Sequence, residues 1–214
     1  FLAGKRLVIT AGGTKERIDP VRYIGNDSSG KMGTALANVA AAAGAEVTLV
    51  TTATLPTLPQ ITVRPVQSAT EMHAAVTSVF AACDAVIMAA AVADYHMVSP
   101  SAYKLKKTSA TSDLTLELAQ NPDILATLGA TKTHQLVVGF AAETNDLLAN
   151  AKKKLVKKHA DLLVANAVGD GRGFNQATNA VWLLRPSQEP EAVPEASKEA
   201  VAAVILKTMQ QMMG

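Results

Sequence analysis

Residues 10–33 read TAGGTKERIDPVRYIGNDSSGKMG and hold the side chains best suited to gripping an anion. Strand-like KRLVIT runs into Ala11, Gly12, Gly13 and Thr14. The loop then carries Arg17, Asp19, Arg22 and Asn26 before Ser28-Ser29-Gly30 opens the apolar run TALANVAAAA. Small residues between a strand and a helix let backbone N–H groups approach an anion, and the helix dipole favours it further. A phosphate or substrate loop of Gly12, Gly13, Thr14, Ser28, Ser29 and Gly30 is therefore expected. Two cations and a carboxamide nearby suit a ligand with more than one acidic group. A helix cap from Ser28 or Ser29 accounts for part of the same pattern.

Two common nucleotide motifs come close and fail. Gly25 to Lys31 nearly spells a Walker A loop, but Met32 stands where a magnesium-binding hydroxyl belongs, and Gly25 lies inside a long loop. The dinucleotide fingerprint is broken by the adjacent Gly12 and Gly13, and the second strand ends in TTATLP with no acid for a ribose hydroxyl. Tyr103 and Lys107 have the spacing of a short-chain dehydrogenase pair, yet fall in a polar loop rather than on a core helix. A Rossmann-like oxidoreductase is thus the competing reading, and it lacks its ribose selector.

The elements that must position these groups alternate along the chain. Strands are expected at about 5–11, 46–52, 61–66, 84–90, 135–142, 161–167 and 179–184, with helices near 30–43, 69–82, 121–131, 144–160 and 195–212. Short β-branched runs between amphipathic segments predict an α/β fold with a Rossmann-like, doubly wound, mainly parallel sheet in one domain over 1–214. Ligands in such sheets lie beyond the carboxyl ends of the strands. Asp94 after the fourth strand, Phe140 in the fifth and the run Gly169 to Phe174 after the sixth all fall on that edge. Residues 94–120 break the rhythm with Pro100, the cluster Lys104, Lys106 and Lys107, and an alternating LTLELA. A protruding hairpin or flap closing over phosphates is expected there.

Composition narrows the class. The chain is 49% hydrophobic but 4% aromatic, so aliphatic residues and alanine build its core. A net charge of +2 gives no reason to expect nucleic acid or membrane as a partner. The lone Cys83 sits among apolar residues and reads as a buried thiol. No apolar run reaches membrane-spanning length and no signal peptide is visible, so a cytoplasmic location is the default expectation.

The blocks TAGGTKERIDPVRYIGNDSSGKMG, AAAVADY, YKLKK, NPDIL, VVGFAAET, KKKLVKKHADLLVAN and GFNQATNAV occur in the order found in phosphopantothenoylcysteine synthetases. The chain resembles that family from about Lys5 to its C-terminus. The opening FLAGKR reads as a linker before the first strand, so a synthetase domain excised from a fusion with a flavin-dependent decarboxylase is expected, with no flavin in this part.

The resemblance implies a chemistry and a site. Bacterial members join 4′-phosphopantothenate to L-cysteine using CTP, with Mg²⁺ on the triphosphate, whereas animal relatives use ATP. The route passes through an acyl-cytidylate. By resemblance Asn26 holds that intermediate with Arg22 beside it, and Lys104 is the flap lysine that assists its formation. Ala90, Ala91 and Asp94 match the nucleotide edge. Asn121, Pro122, Asp123, Ile124 and Phe140 match the cytidine pocket, and Lys154 and Lys158 its basic border. Family members are homodimers, so the 94–120 excursion is expected near the partner's site. Metal ligands are not assigned.

Overall fold

The structure, a computed structural model, describes residues 1–107, 113–167 and 176–214. Its centre is a sheet of eight strands in the order β12-β11-β10-β9-β6-β1-β4-β5. The strands are β1 (Arg6–Ala11), β4 (Glu46–Thr51), β5 (Thr62–Pro65), β6 (Ala85–Met88), β9 (Leu136–Glu143), β10 (Leu162–Ala167), β11 (Thr178–Leu184) and β12 (Glu191–Ser197). From β10 through β5 every pairing is parallel, while β11 and β12 join antiparallel. The doubly wound α/β fold expected from the alternating pattern is therefore present.

The central strands are apolar on both faces because helices cover both faces. Leu7, Ile9 and Ala11 of β1 pack with α1 (Lys31–Ala42) and α5 (Lys198–Met212). Val8, on the opposite face, packs with α2 (Ala69–Phe80) and α3 (Ile124–Thr131). Farther along that face α4 (Leu147–Lys157) buries Ala151 and Leu155 against Leu163 and Leu184. Cys83 is buried as expected, and burial together with the charge of Asp84 pushes its thiol up to about 11, which keeps it protonated and inert.

Small residues set how closely α1 approaches the sheet. Gly12 has φ +90°, and a Cβ there would lie 2.1 Å from Thr52 Oγ1. At Gly33 a Cβ would meet the Thr10 carbonyl oxygen and Ala11 Cβ, each at 2.6 Å. The helix begins at Gly30, in a left-handed conformation and without a side-chain cap, so neither Ser28 nor Ser29 supplies the cap expected of them.

Three differences from the sequence reading have physical causes. The glycine-rich loop contains a small antiparallel hairpin, β2 (Lys15–Arg17) with β3 (Tyr23–Gly25), too short and polar to show a period. Residues 191–197 form edge strand β12 rather than the first turn of a helix, and the edge tolerates Pro194. The 94–120 excursion is closed at its base by the antiparallel pair β7 (Tyr95–Met97) and β8 (Leu118–Gln120), so LTLELA is a strand only in its last part.

The close seat of α1 generates a prediction. Alanine at position 33 gains helix propensity worth about 1 kcal/mol, yet it must push the helix off β1. Gly33→Ala should therefore lower stability by about 1–3 kcal/mol, read as a lower urea midpoint at unchanged slope. A raised midpoint would show that the helix is not held against the strand.

Candidate active site

The carboxyl ends of β1 and β6 are joined before any ligand is considered. The Gly12 carbonyl accepts from Ala91 N–H at 2.8 Å, and Thr14 N–H donates to the Ala91 carbonyl at 3.1 Å. Two buried hydroxyls complete the link: Thr10 Oγ1 accepts from Ala90 N–H and Thr14 Oγ1 from Ala93 N–H, at 3.0 and 2.9 Å. These bonds fix the path of residues 89–94 across the edge of the sheet. Thr52 Oγ1 donates to the Gly13 carbonyl at 2.8 Å and closes the turn from the β4 side. The expected phosphate loop is thus divided. Gly12, Gly13 and Thr14 are buried and tie strands together, whereas Ser28, Ser29 and Gly30 line an open cleft; Gly13 and Thr14 meet Asn26, Ser28 and Ser29 only in a smaller concavity on the β4 side.

That cleft has a volume of about 520 Å³. Asn26, Ser28, Ser29 and Gly30 form one side, and Ala90, Ala91, Asp94 and Phe140 form another. A second cleft of about 440 Å³ adjoins it and is walled by Asn121, Pro122, Asp123, Ile124 and Lys158. Ala90, Val92, Asp94, Phe140 and Lys154 line both. Two chambers with a common wall suit two ligands that must meet.

The loop between β8 and α3 shapes one wall of the second chamber. Asn121 N–H donates to the Asp94 carbonyl and Asn121 Nδ2 to the Ala93 carbonyl, both at 2.8 Å. Its Oδ1 is buried without a hydrogen-bond partner among the described residues. Such an acceptor is costly to leave open and is suited to a ligand N–H. Asp123 caps α3 through Ala126 N–H at 3.0 Å and forms an ion pair with Lys158. Burial raises its pKa, but the Lys158 contact, the Ala126 N–H and the charges of Lys158 and Lys154 outweigh that and hold the carboxyl below its ordinary value. Lys158 is the C-terminal cap residue of α4 and lines this chamber together with Lys154.

Arg22 and Lys104 do not line the cleft that holds Asn26. Arg22 Nη2 donates to the Leu105 carbonyl at 2.8 Å, and its Nη1 lies 3.3 Å from Asp19 Oδ2. Asp19, 1% exposed, accepts from the N–H groups of Val21 and Arg22 at 2.8 Å and of Leu105 at 3.2 Å. Lys104 is exposed next to this anchor. The start of the flap is therefore docked on its own chain. Tyr103 is 83% exposed in a loop, which removes the dehydrogenase pair.

Sequence reasoning missed the buried polar residues Asn166, Asn179 and Lys198, all of which line the larger cleft. The only signal was a lysine in the first turn of a helix, where acids are usual. The expected run Gly169 to Phe174 lies outside the described residues.

Comparison with known proteins follows this geometry. The model of the DNA/pantothenate metabolism flavoprotein C-terminal domain matches residues 2–213. The chain belongs to that family. It is 48% identical over its whole length to the coenzyme A biosynthesis bifunctional protein CoaBC of Vibrio vulnificus strain YJ016, covering 54% of that protein. The chain thus spans about half the length of the curated relatives it matches. The crystal structure of a CoaBC C-terminal domain superposes with a TM-score of 0.83 at 41% identity, covering 99% of this chain and 97% of that one. A Cab2 mutant solved in complex with phosphopantothenate-cysteine shares the fold, with a TM-score of 0.79 at 18% identity, over 97% of this chain and 87% of its own.

Asp19 yields the pH prediction. Burial opposes its charge, but the N–H groups of Val21, Arg22 and Leu105 and the charge of Arg22 together hold its pKa below the ordinary value. A carboxyl with a depressed folded pKa stabilises above its unfolded value of about 3.9, and that contribution is lost as pH falls through the folded value. The flap anchor should therefore persist at neutral pH and open only in strongly acid solution. Asp19→Ala should open it at pH 7, raising amide exchange at Leu105 about tenfold while the β1 core stays protected. Unchanged exchange at Leu105 would mean that the carboxylate does not hold the flap.

Proposed function

We propose that this chain is a phosphopantothenate–cysteine ligase that joins 4′-phosphopantothenate to L-cysteine using CTP. The observation that carries the reading is the pair of clefts sharing Ala90, Val92, Asp94, Phe140 and Lys154. One offers hydroxyls, a helix N-terminus and the Asn26 carboxamide to a phosphorylated acid. The other offers backbone edges, the open Asn121 Oδ1 and lysines to a nucleotide. The exocyclic amine of cytosine would complete Asn121.

The chemistry follows from bringing a carboxylate to a triphosphate. An oxygen of the substrate carboxylate attacks the α-phosphorus of CTP, the bond to the β-phosphate breaks, and pyrophosphate leaves. The cysteine amine then attacks the acyl carbon, the carbon–oxygen bond to CMP breaks, and the amine gives up a proton. Holding both reactants in register supplies much of the acceleration, and donors aimed at developing charge supply more. Asn26 is suited to hydrogen-bond the acyl and phosphoryl oxygens. Lys104 is suited to bring a full charge to the triphosphate when the flap closes, while Arg22 and Asp19 set where the flap starts.

Mg²⁺ would come with the nucleotide. Asp94, exposed on the wall common to both clefts, is a hard oxygen donor of the kind that accompanies phosphates around this ion. Among the described residues there is no group of three His, Cys, Asp or Glu side chains that could hold a metal by itself. Held there, such an ion would supply neutralisation of the charge that builds on the triphosphate.

By likeness to the bifunctional relatives, of which it covers 54%, the chain acts as the synthetase domain of a longer, cytoplasmic protein with a flavin-dependent decarboxylase part, and this domain needs no flavin. Among the described residues no helix is long and apolar enough to cross a membrane. The domain pairs as a two-fold homodimer through the hairpin, where Tyr95, Val98 and Leu118 stay exposed at 46%, 47% and 41%.

Incubation with CTP, 4′-phosphopantothenate and cysteine should release CMP and pyrophosphate, with ATP far slower at low concentration. Comparable turnover with ATP would remove the CTP assignment. Lys104→Gln should cut pyrophosphate release without cysteine about a hundredfold, the usual size of a lost charge-stabilising donor. Normal accumulation of acyl-cytidylate in that variant would show that the flap lysine does not act in the first step.

Assembly is checked separately. Light scattering at assay concentration should give twice the chain's mass. A fully active monomer would rule out the dimer.

A further inference from the structure

Lys198 opens α5 and is 5% exposed. It lines the larger cleft with Asn26 and Asn179. Its ammonium donates one long hydrogen bond, 3.4 Å, to the Thr178 carbonyl. Among the described residues it forms no ion pair. Three physical effects oppose a cation in this position. Burial strips its hydration and holds its pKa below the ordinary lysine value, and the nearby Lys31 charge acts in the same direction, opposed by Glu199. The third is the positive end of the α5 dipole, whose N-terminus Ser197 already caps through Ala200 N–H at 3.2 Å.

A buried cation is kept where something pairs with it. Glu199 acts on it only at a distance, and no described carboxylate lies within ion-pair range, so an anion that enters the cleft can supply the missing partner. The N-terminus of α1 opens on the same space, capped by Gly30 without a side chain. Strand β11, whose Thr178 carbonyl accepts from Lys198, is tied to α1 by Asn179 Nδ2, 4.0 Å from Met32 Sδ. An anion there meets one ammonium and one helix dipole, which suits a dianion better than a carboxylate.

Position separates the candidate anions. The reacting carboxylate and the nucleotide phosphates must meet at the wall shared by both clefts. Lys198 lines the larger cleft and not the nucleotide cleft, so it serves the end remote from the reaction. We infer that Lys198 is a positioning residue that pairs with the phosphate monoester of the pantothenate substrate. The inference rests on the ligase reading above. Binding the remote phosphate fixes the reacting carboxylate at the far end of the same molecule, and it disfavours the unphosphorylated acid, which would leave the ammonium buried and unpaired.

The test compares the protein with Lys198→Met, which keeps a straight chain and removes the charge. Initial rates are taken with 4′-phosphopantothenate and with pantothenate, and unfolding is followed without substrate. Lys198→Met should raise the KM for 4′-phosphopantothenate about tenfold to a hundredfold, as for a truncated buried charge pair. The KM for CTP should stay within about twofold, and preference for the phosphorylated acid should shrink by the same factor. The substrate-free variant should be as stable as the parent or more so, which a structural role for the lysine would not produce. Lys198→Arg should retain most of the preference.

An unchanged KM for 4′-phosphopantothenate would overturn the assignment. So would equal losses on both acids, or a rise in the KM for CTP alone. Should Lys198→Met fail to fold, Lys198→Arg decides: a folded protein without the preference refutes the pairing. If the parent releases no CMP, the ligase reading fails by itself. Calorimetric binding of the two acids to parent and variant then still tests the pair, and equal binding to both proteins would refute it.

Discussion

The carboxyl edge of this sheet depends on how closely α1 can approach the end of β1. A Cβ at Gly30 would lie 2.6 Å from Ala53 Cβ and 3.2 Å from Gly12 N, and one at Gly33 would strike β1 itself. Three positions without side chains therefore let the helix start directly over the strand end. This contact sets where the N–H groups of α1 point and leaves room in front of them for Ser28 and Ser29. The same turn hands its carbonyl and amide groups to residues 90–93, so the segment after β6 inherits its place from the segment after β1. A shift of the helix would propagate to Asp94 and then to Asn121, which hangs on the Asp94 carbonyl. Geometry at this edge is cooperative because its polar groups satisfy one another.

A second constraint sits outside the cleft. Asp19 is a carboxylate at 1% exposure, tolerated because N–H groups from two segments and one guanidinium surround it. One buried charge thus organises both the turn at 18–22 and the start of the flap. Lys104 owes its position to this neighbour rather than to contacts of its own. A flap held at its base can be delivered to a ligand without the entropy of ordering a free loop. Arg22, expected beside Asn26 at the intermediate, takes part in the same arrangement.

The alternating pattern made the parallel core legible because each central strand is a continuous apolar run and each helix has an apolar stripe. Elements without periodicity were invisible: Lys15–Arg17 and Tyr23–Gly25 are three residues each, and Glu191–Ser197 is polar and contains proline. The placement of Asn26, Asp94 and Phe140 around one cleft could be anticipated, since strand ends in a doubly wound sheet converge. The burial of Gly12 to Thr14 could not. Their hydroxyl and amides look identical in sequence whether they bind a ligand or a neighbouring loop. Lys198 was hidden for a related reason, because a helix-opening lysine reads as solvated until the fold shows what covers it.

Charge placement explains how a chain of net charge +2 can suit polyanions. Several of its cations are matched locally: Arg22 by Asp19, Lys132 by Asp161, Lys158 by Asp123 and Arg185 by Glu191. These pairs fix loops and helix ends. At the cleft itself, by contrast, Lys154 and Lys198 stand with helix N-termini and backbone amides, which carry no formal charge yet attract anions. Two cations thus stand inside the concavity, while Lys106, Lys107, Lys152 and Lys153 stay exposed outside it. A broad basic face would favour nucleic acid or anionic lipid at any orientation. A potential confined to a cleft of about 520 Å³ selects anions small enough to enter and oriented enough to satisfy both ends. On the ligase reading, specificity would follow from where the cations sit, not from how many the chain carries.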